Sequence, residues 1–245
     1  MTEEQKFVFD VQGYLVVEGV LSPEQIETMV ADMERQGIRE PENDPGKSRF
    51  GGFLRWGEAW RGLIDHPRIF PILTELLGRK FRLDHAYGMA MRAGGERSGE
   101  GLHHQAGMFD YGCFYVTHGQ TMHNGLIVVS WALTDIEPGM GGFCCIPGSH
   151  KAQFPMPAQW FGLNYNPMVR QVPQRAGDVL IFTESLTHGT MPWLNHETER
   201  RSVLLKYCPG YMQWTAKPVA DDIEGLTERQ QQILQGPAVW ERFGK

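Results

Sequence analysis

From Phe81 onward, the sequence consists of short apolar runs separated by glycine- and proline-rich turns. Runs of this kind, rich in β-branched and aromatic residues, are typical of strands. The predicted strands cover residues 81–90, 126–133, 142–146, 179–182 and 202–207, with turns at 137–142, 147–150 and 176–178. Many short strands after a helical beginning predict a mainly β (α+β) fold, in which two sheets form a jelly roll with flanking helices.

Helical segments flank this strand-rich region. Ser22 begins a capping box with proline at the first helical position, which predicts a helix that ends near Gln36. Apolar residues at helical spacing predict a second helix over 66–77, whereas the charged segment 41–52 is predicted to be a loop. We expect a single domain over residues 1–245, with a helical cover over about 1–80, a jelly-roll core over about 81–210 and a helical tail over about 215–245, of which 221–243 has helical spacing.

The composition is that of an ordinary globular protein, with 41% hydrophobic and 21% charged residues. A net charge of −6 argues against a nucleic acid polymer as partner, although it is compatible with a small anionic substrate. Residues 1–9 lack the apolar core of a signal peptide, and no apolar stretch is long enough to span a bilayer. The four cysteines include no Cys-x-x-Cys pair, so we expect reduced thiols and a cytoplasmic location.

Two histidine sites stand out among nine histidines, most of which fit ordinary structural roles. His103 and His104 lie between glycines, and His188 follows a strongly apolar strand. Two histidines with open coordination positions are the skeleton of a non-haem iron site, whose third ligand is normally a carboxylate. Farther along, Arg200 or Arg201 could bind a dicarboxylate cosubstrate through its planar guanidinium.

Alternation along a strand distinguishes the two arginines. Neighbouring strand residues face opposite sides of a sheet, so Arg200 and Ser202 share one face and Arg201 lies on the other. Only one of the two arginines can therefore point inward.

Four segments, in order along the chain, resemble those of the phytanoyl-CoA dioxygenase family of iron(II)/2-oxoglutarate oxygenases. They are His-Gln-Ala-Gly at 104–107, the strand pair at 131–135 and 141–151, the distal-histidine strand at 177–190, and Arg-Arg-Ser at 200–202. Each motif is weak alone, but their order makes the match specific.

This resemblance implies a fold and a set of site residues. The fold would be a double-stranded β-helix, the cupin-like form of the jelly roll. The implied cofactors are iron(II), 2-oxoglutarate and dioxygen. The implied site residues are His104 and His188 as iron ligands, Arg200 and Ser202 at the distal carboxylate of 2-oxoglutarate, and Thr190 and Trp131 along the cosubstrate pocket. Because the resemblance implies an Arg-x-Ser pair at that carboxylate, the shared face of Arg200 and Ser202 favours Arg200 over Arg201.

One departure from the family pattern bears on the reaction. Ala106 occupies the position of the metal-binding aspartate, as it does in the iron/2-oxoglutarate halogenases that this motif resembles. That resemblance implies a chloride in the vacated position and chlorination of an unactivated carbon. Three alternatives stay open: Asp110 completes the site of a hydroxylase, His103 is the ligand with Gln105 in third position, or the chain is a non-catalytic cupin-like module.

The substrate expectation is a free small molecule. The sequence as a whole resembles those of the free-standing halogenases that chlorinate deoxyribonucleotides in antibiotic biosynthesis. That resemblance implies a deoxyadenine nucleotide such as dAMP as substrate. In the segment 47–61, Arg55 could bind a phosphate while Phe53 and Trp56 stack against a base. In the alternative, these aromatic side chains pack in the core and the arginine is solvated.

Overall fold

The computed structural model describes residues 1–38, 49–94, 100–103, 112–163, 166–216, 219 and 222–239. Its elements, in chain order, are α1 (Glu3–Gln12), β1 (Tyr14–Val17), α2 (Pro23–Arg35), β2 (Arg49–Phe50), α3 (Glu58–Arg61), α4 (Phe70–Leu77), β3 (Phe81–Met91), β4 (Glu100–His103), β5 (Tyr115–His118), β6 (Thr121–Asn124), β7 (Ile127–Ala132), β8 (Gly142–Cys145), β9 (Arg170–Gln171), β10 (Val179–Thr183), β11 (His188–Met191), β12 (Arg200–Pro209) and α5 (Glu228–Leu234).

Two antiparallel sheets form the body of the fold. The larger has the strand order β1-β10-β7-β12-β3-β2, and the smaller has the order β4-β11-β8-β9. The strands β5 and β6 form a separate hairpin. The strand order, in which distant segments of the chain become neighbours, is that of a jelly roll, so the predicted fold class is confirmed.

The two faces of the larger sheet have different environments. On β12, Val203 and Leu205 belong to the core that the helices cover. Leu204 lies instead in the cluster between the sheets, with Phe143 of β8 and Phe182 of β10. Because strand residues alternate, Arg200, Ser202 and Lys206 share the inward face with Leu204. We call the space between the sheets the interior.

The helices form where local signals place them. Ser22 caps α2 in the predicted capping box, and Met29 and Met33 bury its inner face. The helix α4 begins at Phe70 rather than at residue 66, because the amides of Ile69 and Phe70 both donate to the carbonyl oxygen of His66 in a preceding turn. None of the helices that the structure describes combines the length and the apolarity needed to cross a membrane.

Other elements differ from the prediction. Part of the predicted loop 41–52 is strand β2, which can pair with β3 because Gly88 leaves room for the ring of Phe50. A Cβ atom on Gly88 would lie 2.0 Å from that ring. In the predicted tail only Glu228–Leu234 is helical among the described residues. The sequence patterns also missed α1, α3, β1, β4, β5, β6, β9 and β11.

Candidate active site

The register of the smaller sheet brings two histidines together. His188 of β11 lies directly opposite His103 of β4, and their ring centroids are 4.2 Å apart. Residues opposite each other on antiparallel strands have side chains on the same face. His104 and Ala106 lie outside the described residues. Within the described part of the chain, His103 is therefore the neighbour of His188.

Backbone contacts orient both imidazoles in the same way. The Nδ1 of His188 is 2.6 Å from the carbonyl oxygen of Leu186, and the Nδ1 of His103 is 3.2 Å from that of Gly101. A carbonyl oxygen can only accept, so each Nδ1 carries the hydrogen and donates it. The Nε2 of each ring then keeps its lone pair, which is the tautomer that a metal-ligating histidine requires.

Glu184 completes a cluster of three ligand groups. Its Oε1 is 3.6 Å from the Nε2 of His188, and one ligand atom each from His103, Glu184 and His188 lie within 4.8 Å of one another. Two imidazoles and one carboxylate form the donor set of the facial triad that binds iron(II) in non-haem oxygenases. The three side chains therefore fit an iron(II) ion. Sequence reasoning missed Glu184, although an acidic residue directly after a buried strand and four positions before His188 was a usable signal.

Lys206 of β12 contacts the same carboxylate from the larger sheet. Its Nζ is 3.0 Å from Glu184 Oε1, and both side chains are buried. Burial alone would lower the pKa of Lys206, but the negative charge of Glu184 and the nearby Tyr87 raise it overall. The lysine therefore stays charged and links the two sheets beside the histidine pair.

Arg200 is a buried cation that lacks a carboxylate partner in the described residues. The side chain is fully enclosed, with Nη1 3.1 Å from the sulfur of Met91 and Nε without a hydrogen-bond partner. Burial lowers its pKa to about 10. It reaches the smaller sheet, since a Cβ atom on Gly142 would lie 3.3 Å from Nε. On the same face, the hydroxyl of Ser202 is buried and has no hydrogen-bond partner among the described residues. Such a pair is suited to bind a carboxylate.

Arg201 has its charge matched on the other face. It forms ion pairs with Glu199 and with Glu34 of α2, both at 2.8 Å. Of the two arginines, Arg200 is therefore the one that faces the interior, and its role in binding the cosubstrate stays a prediction. Thr190 lies two residues after His188 on β11, on the face that points to the interior.

Trp131 departs from the expected place along the cosubstrate pocket. Its indole is buried in the helix-covered core, edge-on to His66 at 5.5 Å between ring centroids. Alternation along β7 points Ser130 and Ala132 to the interior instead. The position carried over from the family therefore does not agree with the packing of this chain.

The aromatic residues expected at a nucleotide pocket pack in the core instead, and the arginine lies near the surface, as the alternative prediction has it. Phe53 is buried beside Trp60, and Trp56 stacks on Phe50 with centroids 5.7 Å apart. Arg55 forms an ion pair with Asp222 near the surface. These contacts leave the nucleotide expectation without support from the described residues.

Comparisons with known proteins agree with this geometry. A family model described as phytanoyl-CoA dioxygenase (PhyH) matches residues 9–202. No curated protein matches the sequence. HygX from Streptomyces hygroscopicus, solved with nickel and 2-oxoglutarate, has 24% identity and a TM-score of 0.78 over 92% of this chain and 94% of HygX.

Two further solved structures come from nogalamycin biosynthesis. The non-haem alpha-ketoglutarate-dependent epimerase SnoN has 21% identity and a TM-score of 0.65, covering 99% of this chain and 94% of SnoN. The carbocyclase SnoK has 19% identity and a TM-score of 0.63, covering 86% of this chain and 85% of SnoK. At these identities, the likenesses show a shared fold.

Proposed function

The chain belongs to the phytanoyl-CoA dioxygenase family, and on that premise we propose that it is an iron(II)/2-oxoglutarate-dependent oxygenase of a small molecule. Its iron ligands are His103, Glu184 and His188, and its cosubstrate clamp is Arg200 with Ser202. The observation that carries this proposal is the buried guanidinium of Arg200, which lacks a counter-anion in the described residues and faces the same interior as the histidine pair.

Each of these side chains has a definite task. Arg200 and Ser202 bind the distal carboxylate of 2-oxoglutarate and so orient the cosubstrate toward the histidines. The carbonyl groups of Gly101 and Leu186 hold both imidazoles in position. Apolar side chains between the sheets, such as Phe143 and Phe182, exclude water. When bound, iron(II) supplies the activation of dioxygen, which no amino-acid side chain can provide.

Relatives in the comparisons support a small-molecule substrate. One HygX structure contains hygromycin B together with nickel and 2-oxoglutarate, and another contains iron. A SnoN structure contains Fe3+, alpha-ketoglutarate and nogalamycin RO. A role in secondary metabolism follows by analogy, and we extend it to this chain as part of the proposal.

Halogenation is the second candidate, and the sequence observation that favours it is Ala106 in place of the family aspartate. A chloride needs a coordination position that no protein carboxylate occupies. Glu184 lies close enough to the histidines to take that position. Oxygenation is therefore the better-supported reaction.

The test is a titration of the anaerobic iron(II) protein with 2-oxoglutarate at several chloride concentrations, followed by the visible charge-transfer band. We expect the band to form and to ignore chloride. A band that shifts or tightens with chloride would favour halogenation. Failure of the band to form would refute both reactions.

A further inference from the structure

Three planar side chains stand in a row on the interior side of β3. The rings of Tyr87 and His85 are nearly parallel, with 6.2 Å between centroids and 14° between planes. His85 and Trp214 continue the row at 5.6 Å and 20°. We call Tyr87, His85 and Trp214 the planar row.

The planar row is held in place from behind by Asp84. This carboxylate is fully buried, forms an ion pair with Arg82 at 3.1 Å and accepts hydrogen bonds from His85 Nδ1 at 2.7 Å and from the amide of Trp214 at 2.8 Å. It therefore fixes the His85 ring with Nε2 directed away from Asp84, and it fixes the backbone that carries Trp214. A row supported in this way is ordered before any ligand arrives.

The planar row adjoins the proposed iron ligands through Lys206. The Nζ atom of Lys206 lies 5.8 Å from the ring centroid of Tyr87 and 6.0 Å from that of Trp214. The same atom is 3.0 Å from Glu184, which in turn contacts His188. One ion pair thus separates the row from the metal cluster, so a ligand bound at the row would lie beside the proposed iron ligands.

The chemistry of the row selects a type of ligand. Tyr87 Oη, His85 Nε2 and Trp214 Nε1 make no hydrogen bond within the described part of the protein. Among the nearby charges, Lys206 pairs with Glu184 and Asp84 with Arg82, and the guanidinium of Arg49 lies over the Tyr87 ring, 4.7 Å from its centroid. The row therefore offers three hydrogen-bonding groups beside the half-exposed ring of Trp214.

We propose that the planar row is the substrate subsite and that it binds a neutral ring carrying hydroxyl groups, such as a sugar unit. Hydroxyl groups would satisfy the three polar atoms, and the apolar face of the ring would cover the indole. The proposal rests on the proposed function, since it takes its orientation from the cosubstrate and metal sites.

The experiment measures binding rather than turnover. The anaerobic protein is loaded with iron(II) and 2-oxoglutarate, its charge-transfer band is checked, and saturation-transfer NMR follows three neutral disaccharides (maltose, cellobiose and lactose) and the anionic ring 2-naphthoate. We expect at least one disaccharide to bind. Trp214→Ala should weaken that binding by roughly 2- to 10-fold, and Tyr87→Phe should weaken it as well.

Trp160→Ala is the matched control, because Trp160 is half-buried in a groove beside Ile146, on the far side of the smaller sheet. It should leave both the band and the sugar signal unchanged. The proposal is refuted if none of the disaccharides binds, if only 2-naphthoate binds, or if Trp214→Ala leaves the affinity for the disaccharide unchanged. A missing band in every protein would refute the proposed function instead, whatever the sugars do.

Discussion

Replacement of Arg200 by methionine should change ligand-free stability and cosubstrate affinity in opposite directions. The guanidinium is enclosed between the sheets and lacks a carboxylate partner in the described residues. Without ligand, burial of this charge lowers the free energy of unfolding. An apolar side chain of similar length would remove that cost. With 2-oxoglutarate bound, the same charge becomes half of a buried ion pair.

Both magnitudes follow from the burial. The pKa of Arg200 falls to about 10, and each tenfold loss of proton affinity corresponds to about 1.4 kcal/mol, so the burial cost is about 3 kcal/mol at most. For a chain of this size, each 1 kcal/mol gained raises the melting temperature by about 2–4 °C. Removal of one partner from a buried ion pair costs about 3–5 kcal/mol, which corresponds to a roughly 100- to 4,000-fold weaker binding of 2-oxoglutarate.

The assay combines thermal unfolding with an anaerobic titration of 2-oxoglutarate against the iron(II) protein. Arg201→Met is the control, because Arg201 is paired with Glu199 and Glu34 on the opposite face. It should leave the affinity unchanged and lower the stability by no more than about 1 kcal/mol. Equal losses of affinity in the two variants, or a destabilised Arg200→Met protein, would refute the reasoning.

The remaining predictions concern the metal ligands and one buried histidine. His103→Gln should weaken iron(II) binding by more than about 100-fold and His104→Gln by less than about 10-fold in a metal titration; the reverse order would return the role to His104. Glu184→Gly should lower iron affinity and make the charge-transfer band respond to chloride, because it vacates the carboxylate position; an indifferent band would contradict the role of Glu184. Burial lowers the pKa of His150 to about 4, so below about pH 6.5 the unfolded chain binds a proton that the folded protein does not. Stability should therefore fall by roughly 3 kcal/mol from pH 6.5 to pH 4, a loss that urea unfolding of His150→Gln should lack.

That Arg200 and Ser202 lie on one face of β12 and Arg201 on the other could be predicted from the sequence because it depends only on local alternation. One residue of offset on a strand exchanges the two faces, and the Arg-x-Ser spacing contains that information. The long apolar strands were predictable for the same reason. Short strands such as β4 and β11 contain too few residues to show an alternating apolar pattern. They form because neighbouring strands pair with them.

The ligand set could not be read in the same way. Whether His103 or His104 faces His188 depends on the register between β4 and β11, which are far apart in the chain. Glu184 reaches the histidines because the chain turns sharply after β10, where the amide of Leu186 donates to the carbonyl oxygen of Thr183 at 3.0 Å. The pairing of β4 with β11 therefore decides which histidine faces His188, and the turn after β10 decides that Glu184 joins them.

A bulge in β3 explains why His85 and Tyr87 of the planar row face the interior. Lys206 of β12 pairs with His85, and the next residue, Tyr207, pairs with Leu83, so Asp84 is an extra residue without a partner on β12. Such a bulge exchanges the two faces of a strand. Leu83 accordingly lies in the helix-covered core, whereas Tyr87 packs toward the interior.

Without the bulge, the alternation that buries Leu83 under the helices would also turn His85 and Tyr87 away from the metal cluster. The side chain of this extra residue also has a structural role, since the Asp84 carboxylate accepts hydrogen bonds from His85 and from the backbone amide of Trp214. Asp84 thus exchanges the two faces of β3 and also holds His85, which this exchange directs to the interior, in position. Deletion of Asp84 should therefore abolish the planar row while leaving Arg200 and Ser202 on their present face, because β7 pairs with β12 independently of β3.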